Sequence, residues 1–173
     1  HWQPTTAGLL VASPANPTGT LLALPEITAL AEVCREKSGH FLVDEIYHGL
    51  EYAFTGETAA KFSNDVFVIN SFSKYFCMTG WRVGWMVVPE PLVRPIERLQ
   101  QNLSISVPTL SQIAAEAAFD GREEKEAIKH GYQENRRILI GGLPKAGLGR
   151  FLPADGAFYL YADVSDFTSD SFE

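Results

Sequence analysis

Val66-Phe67-Val68-Ile69-Asn70-Ser71-Phe72-Ser73-Lys74 is the stretch on which the reading of this chain turns. Its apolar, β-branched opening predicts a fully buried strand over 66–70, and Lys74 then falls just past that strand's C-terminal end. In open α/β sheets, ligands bind at that edge. A lysine in a serine-rich turn is also an ordinary surface feature, so the flanking sequence has to decide between the two.

Upstream, Gly8-Leu9-Leu10-Val11-Ala12 reads as a strand that runs into Ser13-Pro14-Ala15-Asn16-Pro17-Thr18-Gly19, a turn fixed by two prolines and a glycine. From Leu24 the apolar spacing becomes helical, with Pro25 in the first turn and Gly39 as the stop. Phe41-Leu42-Val43 follows as another strand and ends in Asp44-Glu45-Ile46-Tyr47-His48-Gly49. Strand, helix and strand at this spacing form a βαβ unit. Residues 53–65 read as a loop with at most one helical turn.

Downstream, residues 83–88 predict a strand closed by Pro89. Helical spacing resumes at Leu92, Ile96, Leu99 and Leu103, is broken at Ser106-Val107-Pro108, restarts near Thr109, and continues in a charged helix from about Glu123 to Leu139. After Gly147 the texture changes, and Ala157-Phe158-Tyr159-Leu160-Tyr161 reads as a further strand. The fold class is therefore α/β, a mainly parallel sheet flanked by helices in three layers, with the beginning of a small α/β domain at the C-terminal end.

Composition narrows the function. The 173 residues are 46% hydrophobic, enough for one core, and carry a net charge of −7 with a pI near 5.1. That balance, with no clustered basic face, argues against a nucleic-acid partner. Cys34 and Cys77 cannot build a disulfide framework, and His1, His40, His48 and His130 form no ligand cluster with the carboxylates, so no metal is expected. No apolar run approaches a membrane span and no signal peptide is present, which points to a cytoplasmic protein. The chain has no initiator Met and reads as starting inside something longer.

Polar groups collect at four strand ends: Asn16; Asp44 with Tyr47; Ser71, Ser73 and Lys74; and Arg82. Taken singly, Asn before Pro is a common turn residue, Asp after a strand a common cap, and Tyr47 ordinary packing. Pyridoxal 5'-phosphate has a use for every member. Lys74 supplies the amine for a Schiff base, and Asp44 the anion that keeps the pyridine nitrogen protonated. Asn16 and Tyr47 can donate to the phenolate oxygen. Ser71 and Ser73 donate to the phosphate, and Arg82 gives it a permanently charged, bidentate partner.

Asn16-Pro17-Thr18-Gly19, Asp44-Glu45-Ile46-Tyr47, and Ser71-Phe72-Ser73-Lys74 followed by Gly80-Trp81-Arg82-Val83-Gly84 resemble, in order and separation, the signature blocks of the class I/II aminotransferases, which are fold-type-I pyridoxal phosphate enzymes. Met78-Thr79-Gly80-Trp81-Arg82 further resembles the branch with bacterial aspartate, prephenate, alanine and kynurenine aminotransferases. The resemblance implies the roles just given, with Lys74, Asp44 and Tyr47 as the catalytic set. It implies transfer of an amino group between an amino acid and a 2-oxo acid, and a homodimer. It also implies a division into part of the cofactor-binding large domain (1–120), a linking helix (121–146) and the start of a truncated small domain (147–173). Members of the family are longer at both ends, so this chain by itself is expected to be inactive or weak. A lyase or synthase of the same family, such as a C–S β-lyase, resembles these blocks equally, as does the cofactor-sensing domain of a transcriptional regulator.

Overall fold

The computed structural model describes residues 2–171. Four strands, β1 (Gly8–Ala12), β2 (His40–Asp44), β3 (Val66–Ser71) and β4 (Gly84–Val87), form one sheet in the order β1-β2-β3-β4. The first three are parallel, and β4 runs antiparallel to β3. The sheet is thus mixed, with its parallel part as expected. One consequence sets up the site: the C-terminal ends of β1 to β3 and the N-terminal start of β4 lie on one edge, where Ala12 pairs with Asp44, Asp44 with Ile69 and Ser71 with Gly84.

The helix α1 (Leu24–Glu36) forms the βαβ crossover. Pro25 sits in its first turn, and the Glu26 carboxylate reaches back to accept a 2.7 Å hydrogen bond from Ala23 N–H. Its buried Ile27 and Cys34 are two turns apart on one face. They pack on Phe41 and Val43 of β2 and Val66 and Val68 of β3, alternate residues that share a sheet face. Each such side chain contributes about 1.5–3 kcal/mol by leaving water.

The opposite face is only partly covered, with Leu42 and Phe67 half-buried and Leu10 61% exposed. The strands are therefore buried on the α1 side rather than on both. The 53–65 loop contributes one 3₁₀ turn, Ala59–Lys61, to the α1 side.

Three helices follow: α2 (Glu90–Leu103), α3 (Thr109–Ala118) and α4 (Arg122–Gly142). Ala115 of α3 joins Phe72 and Met78 in a second small core that pins the loop after β3. None of the helices is long and apolar enough to cross a membrane, among the described residues.

The expected strand at 157–161 does not form. Ala157 takes a left-handed φ of 59°, which breaks an extended run, and its N–H donates to Leu50 O at 2.8 Å instead of to a sheet neighbour. Only isolated bridges remain, Glu51 with Gly156 and Phe151 with Ala162.

Candidate active site

The lysine loop is held from its apolar side. Phe72 is buried among Phe76, Trp85 and Phe119, with ring centroids 4.7, 5.1 and 5.4 Å away. Its N–H donates to Val83 O at 3.1 Å, and Met78 N–H donates back to Phe72 O at 3.0 Å. Thr79 Oγ1 donates to Ser73 O at 2.7 Å, and Cys77 N–H to Lys74 O at 3.0 Å. With the backbone closed on itself in this way, the Lys74 side chain has a fixed origin. Its Nζ lies 5.5 Å from the centroid of Tyr47 and 5.6 Å from that of Phe158. Both distances are within the range of a cation–π contact.

Tyr47 comes from the turn after β2. Glu45 N–H donates to Ile69 O at 2.8 Å, one residue beyond β2, and the chain then folds over with His48 N–H donating to Glu45 O at 2.9 Å. Asp44 Oδ1 accepts a 3.0 Å bond from Ile46 N–H, which caps the turn and sets the direction of the carboxylate. Tyr47 is 2% exposed, and its hydroxyl lies 2.5 Å from that of Tyr159. Burial pushes the Tyr47 phenol well above its ordinary range. It is therefore a protonated donor at any physiological pH.

Ser71, Ser73 and Arg82 meet on one side of this edge. Ser71 Oγ accepts from Ser73 N–H at 3.0 Å and lies 3.0 Å from Ser73 Oγ and 3.2 Å from Val83 O. With Arg82 these two hydroxyls line a surface hollow between the β3 and β4 ends and α2. Arg82, at a left-handed φ of 51°, spends one guanidinium N–H on Thr79 O at 2.9 Å. No carboxylate lies within ion-pair distance of it among the described residues. Asn16 is exposed within the 13–19 loop, whose buried Ser13 ties it to the β2 end by donating its N–H to Asp44 O at 3.0 Å. The structure therefore brings Lys74 to Tyr47, and Ser71 and Ser73 to Arg82, on the edge that Asp44 ends. It leaves the Asn16 side chain without a hydrogen bond to any of them.

Three residues to which the sequence reading gave no role in the site belong to this neighbourhood. Tyr159 lies 112 residues beyond Tyr47, with Phe158 beside it, and no local spacing marks either. Glu45 is 1% exposed and continues the in-facing register of Phe41 and Val43, a signal that alternation alone carries.

The donor set suits an anionic, aldehyde-bearing cofactor. One amine sits against aromatic rings, one carboxylate lies at a strand end, and two hydroxyls and a guanidinium with no carboxylate partner among the described residues share a hollow.

Comparison with known proteins gives the family. The family model for aminotransferase class I and II matches residues 2–172, and the chain belongs to that family. It is 48% identical to the valine–pyruvate aminotransferase of Mycobacterium tuberculosis over 172 residues, 97% of this chain and 44% of that protein. It is 32% identical to a probable aspartate/prephenate aminotransferase of Thermus aquaticus, over 98% of this chain and 45% of that protein. Among solved structures, an aminotransferase from Mycobacterium tuberculosis superposes with a TM-score of 0.94 at 46% identity, over 99% of this chain and 45% of that one. Aspartate aminotransferase from Thermus thermophilus with maleate gives 0.93 at 30% identity, over 99% and 46%. The chain thus spans a little under half the length of the relatives it matches.

Proposed function

We propose that this chain carries the cofactor-holding centre of a pyridoxal phosphate-dependent aminotransferase, with amino acid and 2-oxo acid substrates. The observation that supports it most is the seat of Lys74: a strand-end lysine against Tyr47 and Phe158, on the edge ended by Asp44 and beside the hollow of Ser71, Ser73 and Arg82. When bound, the cofactor supplies an electron sink for the carbanion that forms on loss of a substrate α-proton.

The remaining roles fall to the chain's own side chains. Lys74 Nζ would hold the cofactor and serve as the amine that moves the substrate α-proton. Asp44 would keep the ring nitrogen protonated. Tyr47, held as a phenol, would donate to the ring oxygen, with Asn16 as the second donor. Ser71, Ser73 and Arg82 would bind the phosphate.

The same reading assigns 1–120 to a large domain, 121–146 to a linking helix and 147–173 to the start of a smaller domain. It places the protein in the cytoplasm as a homodimer, and it makes these 173 residues alone a poor catalyst. The test is amino-group exchange by the intact protein of which these residues are part. Valine with pyruvate is the first pair to assay, given the name of the 48% identical relative. Amino-group transfer that disappears in Lys74→Ala is the expected result. Release of ammonia and a 2-oxo acid without transfer would place the protein among the lyases instead.

A further inference from the structure

We propose that Tyr159 is a positioning residue for the Lys74 site, holding the hydroxyl of Tyr47 so that its proton is aimed at the bound group; this rests on the reading of Lys74 and Tyr47 above. The two hydroxyls are 2.5 Å apart and the rings stand edge to face with centroids 5.6 Å apart. Two hydroxyls joined by one hydrogen bond leave one proton free between them. With Tyr159 as the donor, Tyr47 keeps its own O–H for an acceptor in the site. No other hydrogen bond to the Tyr47 hydroxyl forms among the described residues, and its ring is buried. Without Tyr159 the Tyr47 hydroxyl has no partner to fix its proton direction.

The backbone puts Tyr159 there deliberately. Gly156 N–H donates to Gly19 O at 2.9 Å, Ala157 N–H to Leu50 O at 2.8 Å, and the Tyr52 hydroxyl to Ala157 O at 2.7 Å. A Cβ on Gly156 would lie 2.6 Å from Pro14 Cγ, so only glycine lets the segment come this close to the loop that carries Asn16. The neighbouring Phe158 stands 5.4 Å edge to face on Tyr47 and completes the seat of Lys74. The segment that follows the long helix therefore closes the site from a side that the 71–82 loop cannot reach.

The test uses the full chain loaded with pyridoxal phosphate, its absorbance followed against pH as a report on proton affinity at Lys74. Tyr47→Phe should raise the midpoint by about one pH unit, a tenfold change in proton affinity, because it removes the bond donated to the bound group, and Tyr159→Phe should raise it in the same direction, because it leaves the Tyr47 proton free to turn away. The double variant should move it no further than Tyr47→Phe alone. Additive shifts, or a native midpoint in Tyr159→Phe beside a raised one in Tyr47→Phe, would overturn the proposal. 3-Fluorotyrosine at position 159 keeps the ring and its packing but makes the hydroxyl a stronger donor, so it should lower the midpoint. An unmoved midpoint there overturns the proposal even where Tyr159→Phe folds poorly. A native spectrum in Lys74→Ala would instead overturn the underlying functional reading.

Discussion

The carboxylate of Glu45, a side chain only 1% exposed, accepts a 2.7 Å hydrogen bond from the backbone N–H of Ala59. That bond ties the 3₁₀ turn at 59–61 to the residue after Asp44, so the site edge and the α1-side core share a fastening. Burial raises the Glu45 carboxyl above its usual range, against the lowering effect of the Ala59 N–H.

Two substitutions at Glu45 should separate the bond from the charge. Glu45→Gln keeps an acceptor for Ala59 and removes a buried charge, so stability at neutral pH should hold or rise. Glu45→Ala leaves the N–H unpaired and opens a cavity, a loss of about 2–3 kcal/mol. Urea denaturation of both variants checks this. Equal losses would show that the acceptor contributes nothing.

His48 Nδ1 lies 3.4 Å from Glu45, and burial holds its imidazole below the ordinary value of 6.5, with Glu51 opposing. A base whose folded-state pKa is lowered contributes stability that is present above its unfolded pKa and lost as pH falls through the folded one. Stability should therefore drop on acidification below 6.5, and His48→Gln should flatten that slope. Melting temperature measured across this window decides it, and a slope unchanged by the substitution contradicts the assignment.

Much of this was legible in the sequence because period and punctuation are local. The apolar runs Phe41-Leu42-Val43 and 66–70, the spacing of Ile27 and Cys34 and the prolines of 13–19 placed the βαβ unit and the edge bearing Asp44 and Lys74. Two features were not local. The left-handed Ala157 and the bonds of 156–157 to Gly19 and Leu50 turned an apparent strand into a docked loop, and with it brought Phe158 and Tyr159 to Lys74. The half-covered sheet face was equally hidden, since an apolar run reads the same whether one side is covered or both.

Gly49 packs directly against Tyr75 of the lysine loop. It has φ of 97°, and a Cβ there would lie 2.4 Å from Tyr75 Cγ, one residue from Lys74. Gly49→Ala should cost about 1–2 kcal/mol for the left-handed backbone alone. It should also displace the Tyr75 ring and weaken cofactor affinity in an equilibrium titration. Native affinity in a folded Gly49→Ala protein would show that Tyr75 can move without disturbing Lys74.

Tyr75 also reaches α4, its hydroxyl donating to Glu126 Oε1 at 2.5 Å. Burial, then that carboxylate, pushes the phenol up to about 12. A double-mutant cycle of Tyr75→Phe and Glu126→Gln should return a coupling of about 1 kcal/mol, the modest value fitting a bond at the surface. Additive effects would show that α4 and the lysine loop are energetically independent.

The central claim is that Lys74 is the amine that holds the cofactor. Borohydride reduction of the full chain loaded with pyridoxal phosphate, followed by peptide mapping, tests it directly. The account predicts one pyridoxyl label, on Lys74. A label on Lys61, Lys125 or another lysine, with Lys74 unmodified, would contradict it.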